Sequence, residues 1–313
     1  MSGPPALSVI IPTRNRASAL TRLLERLGSL APPDLSWETV VVDNGSTDGT
    51  ERVVRAAGVR YVSEPRAGRS FALNAGVDAT GGDFLVFVDD DVTPEPQWLA
   101  AMADAISRPG TTAAAGRILP AFEGGPPAWL PGDVPFPYRF DLGDEPLTAH
   151  TVFGANMAFR REAFTRYGRF RTDLGILPGN PLVGEETELC ARLTRGGERI
   201  VYVPRAVVHH PVTPEQASPG YLLRWHYHYG RSLARRESPP PGTVRWRGVP
   251  RYLWREWATA AVTCWLSPSR AERLRRRLRA RRLSGQIAEY RRIFLEPRQA
   301  PRPGLPTEGG EPR

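Results

Sequence analysis

The sequence predicts an α/β protein: a doubly wound, mostly parallel sheet with helices on both faces, followed by an Arg-rich helical extension. Three observations predict it. Short apolar runs alternate with segments of helical period through residues 8–107, the pattern of repeated strand–helix units. Each apolar run ends in a polar cluster, as strands do when the ligand crevice lies at their carboxyl ends. Charge is also segregated, because residues 241–313 hold 17 Arg against 6 Glu whereas residues 1–240 carry a net charge of −2.

In chain order, residues 8–11 (SVII) form a β-branched run, and Leu20, Leu23, Leu24, Leu27 and Leu30 then fall on one helix face. Residues 38–42 (ETVVV) predict a second strand that ends at Asn44-Gly45, after which Asp48 and Glu51 match a helix N-cap and its N3 partner. Residues 59–62 predict a third strand and 69–79 a helix. Residues 84–88 (FLVFV) predict a fourth strand, fully apolar and therefore central, and 97–107 another helix. Residues 120–150, rich in Pro and Gly, are too long for a connector and predict a flexible or substrate-covering loop. Beyond them come GANMAFRREAF at 154–164, an acidic-start helix at 184–197, a strand at 199–204 and VVHHPV at 207–212. From about Tyr221 Arg and aromatic residues dominate. These shifts divide the chain into a main domain at 1–235, a basic, aromatic-rich helical extension at 236–296 and a disordered Pro/Gly-rich tail at 297–313.

Composition narrows the class. A chain of 313 residues, 41% hydrophobic and 24% charged, is not disordered throughout. Two cysteines, Cys190 and Cys264, make neither a disulfide framework nor a CxxC metal cluster, and point to a reducing, cytoplasmic setting. The N-terminus lacks the basic region of a secretory signal, and the best apolar stretch, 257–266, is half the roughly 20 residues that span a bilayer. Every basic residue is Arg, which with 30 Gly and 32 Pro reflects a GC-rich coding bias and discounts each single Arg.

The polar strand ends carry the chemistry. Asp89-Asp90-Asp91 closes the most apolar strand, where hard carboxylate oxygens hold Mg²⁺ or Mn²⁺; the alternative is an acidic turn capping the next helix, although three adjacent carboxylates repel unless a cation binds. Asp43 and Asn44 end the second strand, where an acceptor can take the imide N–H of uracil or thymine; an Asx turn is the alternative. Pro12, Thr13, Arg14 and Asn15 lie between the first strand and first helix, a position that attracts phosphate or ribose oxygens. Arg66 and Arg69 precede the third helix and can pair with a diphosphate, Arg69 being preferred. Glu185 and Glu186 open a helix, where acids also suit the helix dipole, and Glu188 with Arg192 reads as an i, i+4 surface pair. His209 and His210 point to opposite sides of an extended chain, so at most one of them faces the crevice.

Five motifs in order, SVIIPTRNR, VVDNGSTDGT, LNAGVDATGGDFLVFVDDD, GANMAFRR and GEETELCARL followed by HHPV, resemble the family 2 glycosyltransferases over about residues 7–235. These are GT-A enzymes that transfer a sugar from a nucleotide-sugar donor with inversion. The resemblance implies a DxD motif with Asp89 near the ribose and metal and Asp91 as a direct ligand. It implies a closing histidine at His210, Asn156 and Arg160 near the transferred sugar, and a catalytic base at Glu186, where the family more often has Asp. A carboxylate there takes the acceptor proton as attack develops. The implied partners are a UDP- or dTDP-linked donor and a saccharide or lipid-linked acceptor, and the implied cofactor is a divalent cation. A nucleotidyltransferase shares the layout but favours a Gly-rich phosphate loop that PTRNRAS lacks. A non-catalytic basic scaffold leaves the acids unexplained.

Three readings of the tail stay open. Trp246, Trp254, Trp257 and Trp265 with eight Arg between Arg270 and Arg282 suit an anionic membrane surface, each basic residue being worth about 1 kcal/mol near the headgroups. A solvated helix packed through Leu274 and Leu278 is the second, and nucleic acid the third.

Overall fold

The computed structural model describes residues 5–132, 134–177, 179–267 and 269–295; the expected tail at 297–313 lies outside the described residues. The first half follows the predicted alternation: β1 (Leu7–Thr13), α1 (Ala17–Leu27), β2 (Trp37–Asp43), α2 (Thr50–Ala56), β3 (Arg60–Ser63), α3 (Arg69–Ala79), β4 (Phe84–Val88), β5 (Thr93–Pro94) and α4 (Trp98–Ser107). The second half adds β6 (Ala113–Phe122), β7 (Leu147–Ala149), β8 (Asn156–Arg160), α5 (Arg161–Tyr167), β9 (Ile176–Leu177), β10 (Asn180–Pro181), α6 (Glu185–Arg195) and β11 (Ile200–Val212). Then come α7 (Pro219–Arg236), β12 (Arg245–Trp246), β13 (Val249–Pro250), α8 (Arg251–Leu266) and α9 (Arg270–Leu295).

The main sheet runs β3-β2-β1-β4-β8-β6-β11-β5, with β7 pairing β11. Strands β3, β2, β1 and β4 are mutually parallel, as are β6 and β11, while β8 is antiparallel to both β4 and β6. The register sets Thr13 beside Asp43 and Asp43 beside Ser63, so the polar strand ends finish level. The core lies in this sheet: Val9, Ile10, Ile11, Val40, Val41, Val42, Leu85, Val86 and Phe87 are all fully buried under flanking helices.

Three details differ from the sequence reading. Asp48 is not itself the N-cap of α2, which starts one residue later, but its carboxylate accepts from Thr50 N (3.0 Å) and from Ala17 N (3.1 Å) and so caps two helices at once. β6 begins in the run Ala113-Ala114-Ala115, without the β-branched signature of a strand. Glycine is needed at the end of that run, because a Cβ on Gly116 would stand 2.2 Å from the Asn156 side chain. The 120–150 stretch is anchored rather than loose, with Val134 and Phe136 buried against Val212, Leu222 and Leu278.

The C-terminal helices form one packed unit with α7. Helices α7 and α9 cross in backbone contact: a Cβ on Gly230 would lie 1.9 Å from the Arg282 carbonyl oxygen, and one on Gly285 equally close to that of Tyr227. Glu289, sealed in the crossing, receives Arg231 (2.9 Å), Arg235 (2.5 Å) and Arg292 (2.5 Å). Leu278 is buried and Leu274 packs on the same cluster, the arrangement that the packed-helix reading of the tail expected. Among the described residues no helix is long and apolar enough to cross a membrane.

Candidate active site

At the end of β1, Thr13 Oγ1 donates to Asp90 (2.7 Å). Pro12 is buried and Arg14 points to solvent. Asn15 adopts a left-handed backbone (φ 53), a conformation Asn tolerates. It ties two loops together: its N–H donates to Ser46 Oγ (2.9 Å) and its Oδ1 accepts from Thr47 N (2.7 Å). At the end of β2, the buried Asp43 accepts from Ser46 N (2.8 Å) and from the Tyr61 hydroxyl (2.9 Å). Burial first, and Asp43 second, push the Tyr61 hydroxyl up to about 12, so it stays a donor.

Asn44 has a different role from the one its position suggested. Its amide donates to the carbonyls of Glu64 (2.9 Å) and Arg66 (2.7 Å) and accepts from Gly68 N (2.7 Å). The side chain is consumed in folding the 64–68 loop, which leads into α3. Arg66 pairs with Glu64 (2.6 Å), and Arg69, from the first turn of α3, reaches the crevice.

Arg69 is the hub of the acidic cluster. Its guanidinium donates to Asp89 (2.6 Å), Glu185 (2.6 Å) and the Gly154 carbonyl (3.0 Å). Burial opposes charge on Arg69, but Asp89, Glu185 and Glu186 outweigh it and keep it firmly protonated. Burial likewise pushes the Asp89 carboxyl up, yet Arg69 above all outweighs it and holds it below the usual range. Asp90 is pushed up to about 6, by burial first, against the pull of Arg16 and Thr13. Arg16, which the sequence reading passed over, bonds Asp90 (3.2 Å) and Asp91.

The cluster fits a divalent cation. Asp89, Asp91 and His210 offer ligand atoms within 4.8 Å of one another. Asp91 Oδ1 is buried without a hydrogen-bond partner among the described residues and lies 3.7 Å from His210 Nε2. His210 Nδ1 is 3.0 Å from the Pro211 carbonyl. A carbonyl only accepts, so that contact puts the proton on Nδ1 and leaves Nε2 a free lone pair in the neutral ring, the usual tautomer of a ligating histidine. Tyr138 covers the other face of the His210 ring (centroids 4.5 Å apart) and shares a hydrogen bond with the Tyr221 hydroxyl. His209 turns the opposite way, to Glu95 (3.0 Å).

Helix α6 brings in the acidic pair, both members buried. The Glu186 carboxyl is pushed well above the usual range by burial first and by Glu185 second, with Arg69 opposing. On the same helix, burial raises the Cys190 thiol to about 12, which makes it inert. Glu188 and Arg192 do pair (2.8 Å), but not as surface residues. Glu188 is buried, and Arg192 also donates to the carbonyls of Tyr167 and Arg169, fastening α6 to the end of α5.

Two expected sugar contacts are architectural instead. Asn156 is fully buried: its amide donates to the carbonyls of Arg117 (2.9 Å) and Ala206 (2.8 Å) and accepts from Trp98 Nε1 (2.8 Å). Because β8 is antiparallel to β4, Arg160 pairs with Phe84 at the opposite end of the sheet, where it binds the carbonyls of Thr111 and Ser107.

A mixed, mostly parallel sheet with a carboxylate cluster and an acidic dyad at its carboxyl edge defines a GT-A-like architecture. Residues 8–168 match the family described as Glycosyl transferase family 2, and the chain belongs to that family. It is similar to Glycosyltransferase AglE of Haloferax volcanii, 27% identical over 233 residues that make up 72% of each chain. It is also similar to Succinoglycan biosynthesis protein ExoM of Rhizobium meliloti, 29% identical over 284 residues, 85% of this chain and 88% of that one. Among solved structures, mannosyltransferase PcManGT from Pyrobaculum calidifontis, in complex with GDP-Man and Mn²⁺, shares the fold with a TM-score of 0.61 at 20% identity. It matches over 92% of this chain and 88% of its own.

Proposed function

We propose that the protein is an inverting, divalent-cation-dependent glycosyltransferase that moves a sugar from a nucleoside-diphosphate donor to an acceptor hydroxyl. The acceptor is a saccharide or a lipid-linked saccharide, in cell-surface polysaccharide or glycolipid synthesis on the cytoplasmic side of the membrane. The observation that carries this reading is the Arg69 bridge, 2.6 Å to Asp89 and 2.6 Å to Glu185, which joins the cation-binding acids to the dyad containing Glu186. The relatives support the same class: one is a glycosyltransferase, one serves succinoglycan biosynthesis, and the structural neighbour holds GDP-Man and Mn²⁺.

Asp89, Asp91 and His210 would hold the cation, which when bound supplies charge to stabilise the departing diphosphate. From the β1 side Thr13 and Arg16 both bond Asp90, Arg16 also bonds Asp91, and Arg16 meets the phosphates. Asp43, rather than Asn44, is the acceptor that reads the base of a UDP- or dTDP-linked donor, since the Asn44 amide is spent on the backbone. Glu186 takes the proton of the acceptor hydroxyl while that oxygen bonds the anomeric carbon and the bond to the diphosphate breaks on the opposite face. Glu185, locked to Arg69, holds the dyad in place.

The test is a scan of nucleotide-sugar donors for hydrolysis and transfer with Mn²⁺, with Mg²⁺ and with excess chelator. Donor turnover that requires the cation and falls in Asp91→Asn supports the reading. Undiminished turnover in chelator overturns the cation requirement.

A further inference from the structure

We propose that the outward face of α8 docks on an anionic lipid surface, with Val262, Trp265 and Leu266 entering the interface and Arg251 and Arg255 meeting the headgroups. The proposal stands independently of the catalytic reading.

Helix α8 turns Leu253, Ala260 and Cys264 inward, and Leu253 and Ala260 pack with Leu283 and Ile287 of α9. Residues 255, 262 and 266, spaced by seven and four, therefore lie on the opposite face. That face is uncovered by any described residue: Trp265 is 87% exposed, Leu266 74% and Val262 60%. These three sit together in the last two turns of the helix, the composition of an interfacial anchor.

Charge selects the partner. The helix's one acid, Glu256, is drawn to Arg279 of α9 (3.0 Å), whereas Arg251 and Arg255 on the outward face are exposed. The outward face is thus cationic and apolar with no acid. Residues 241–313 hold 17 Arg against 6 Glu, so an anionic surface attracts this end of the molecule and not the −2 remainder. Anionic lipid supplies both parts of the match, headgroup charge for Arg251 and Arg255 and an acyl boundary for the apolar side chains beside them. At 16 residues the helix falls short of the roughly 20 needed to span, so it lies in the interfacial plane. The structure also shifts the contact from the Arg run of α9 to α8. In α9, Arg276 is paired with Glu272 (2.7 Å), Arg279 with Glu256, and Arg281 lies over the Tyr227 ring.

The test uses the full chain and cosedimentation with phosphatidylcholine vesicles with and without phosphatidylglycerol. Binding is expected only with phosphatidylglycerol and is expected to weaken as salt rises. The double substitution Trp265→Ser and Leu266→Ser should lower the partition coefficient by about tenfold or more, since two apolar side chains no longer enter the interface. Its thermal unfolding should match the wild type, because both side chains are exposed. Arg251→Glu with Arg255→Glu should abolish the preference for anionic vesicles. A full chain that ignores phosphatidylglycerol vesicles at low salt overturns the proposal, as does a Trp265/Leu266 variant that binds like the wild type. A concentration-dependent dimer in sedimentation velocity, lost in that same variant, assigns the face to a second copy instead and overturns it equally.

Discussion

Replacing Glu186 with Gln preserves side-chain size and removes one ionisable proton. In the wild type, burial first and Glu185 second raise this carboxyl above the ordinary Glu value of 4.5. Between that value, which the unfolded chain retains, and the raised value of the fold, the native state holds a proton that the unfolded state has released. More protons bound by the native state means that stability falls as pH rises through this window; the contribution is intact below the window. One proton limits the slope to about 1.4 kcal/mol per pH unit. Gln has no proton to lose, so Glu186→Gln should equal the wild type at the acid end of the window and become steadily more stable above it. Activity should move the other way: loss of a general base costs about a hundredfold to ten-thousandfold in transfer, with donor binding kept. The wild-type rate should rise with pH through the same window as Glu186 ionises. Urea unfolding at a series of pH values, beside transfer rates and calorimetry with a nucleoside diphosphate, measures all of this. Parallel stability curves for the two proteins would refute a buried ionisable proton at 186. Full transfer activity in the variant would place the base elsewhere, and a larger loss in Glu185→Gln would move it by one residue.

Asp91→Asn should weaken nucleoside-diphosphate binding in Mn²⁺ by about tenfold or more and leave the remainder insensitive to chelator, as calorimetry would show. Asn156→Ala orphans Trp98 Nε1 and strips two carbonyls of their donor, which predicts a loss of about 1–3 kcal/mol for each unpaired group in urea unfolding, with donor affinity of the folded fraction unchanged. Gly230→Ala drives a methyl group into the Arg282 carbonyl 1.9 Å away, and the forced separation of α7 from α9 should lower stability by about 1–3 kcal/mol or more while transfer per folded molecule persists.

The four strands β1 to β4 were legible because each is an unbroken apolar run between helical segments, a pattern that buried parallel strands impose. β6 was not, because it opens on Ala113-Ala114-Ala115 and a Gly116 held small by Asn156, residues that carry no strand signature. At the site, the carboxylates were legible because strand order alone brings Asp43 and Asp89 to one edge. The histidine pair was legible through the two-residue period of an extended chain, which sends His210 to Asp91 and His209 to Glu95. Asn44, Asn156 and Arg160 were read as contacts because residue type and motif do not reveal which groups a side chain has already bonded. Arg16 escaped notice because, in a chain whose only base is Arg, residue type carries little information.

The two arginines of the acidic cluster do unlike work. Arg69 is largely buried and binds an acid at the end of β4, an acid at the start of α6 and the Gly154 carbonyl, so its position is fixed from three sides. Removing one partner of such a buried arrangement leaves uncompensated charge, typically at a cost of about 3–5 kcal/mol. Arg69 is therefore a strut that sets the spacing between the proposed cation site and the proposed base, elements separated by nearly a hundred residues of chain. Arg16 is half exposed, and among the described residues its guanidinium bonds Asp90 and Asp91. A guanidinium with solvent on one side and two carboxylates on the other can turn to a diphosphate at little cost in desolvation. On the proposed reading, then, Arg69 holds the site's dimensions constant while Arg16 exchanges protein carboxylates for the phosphates of the donor.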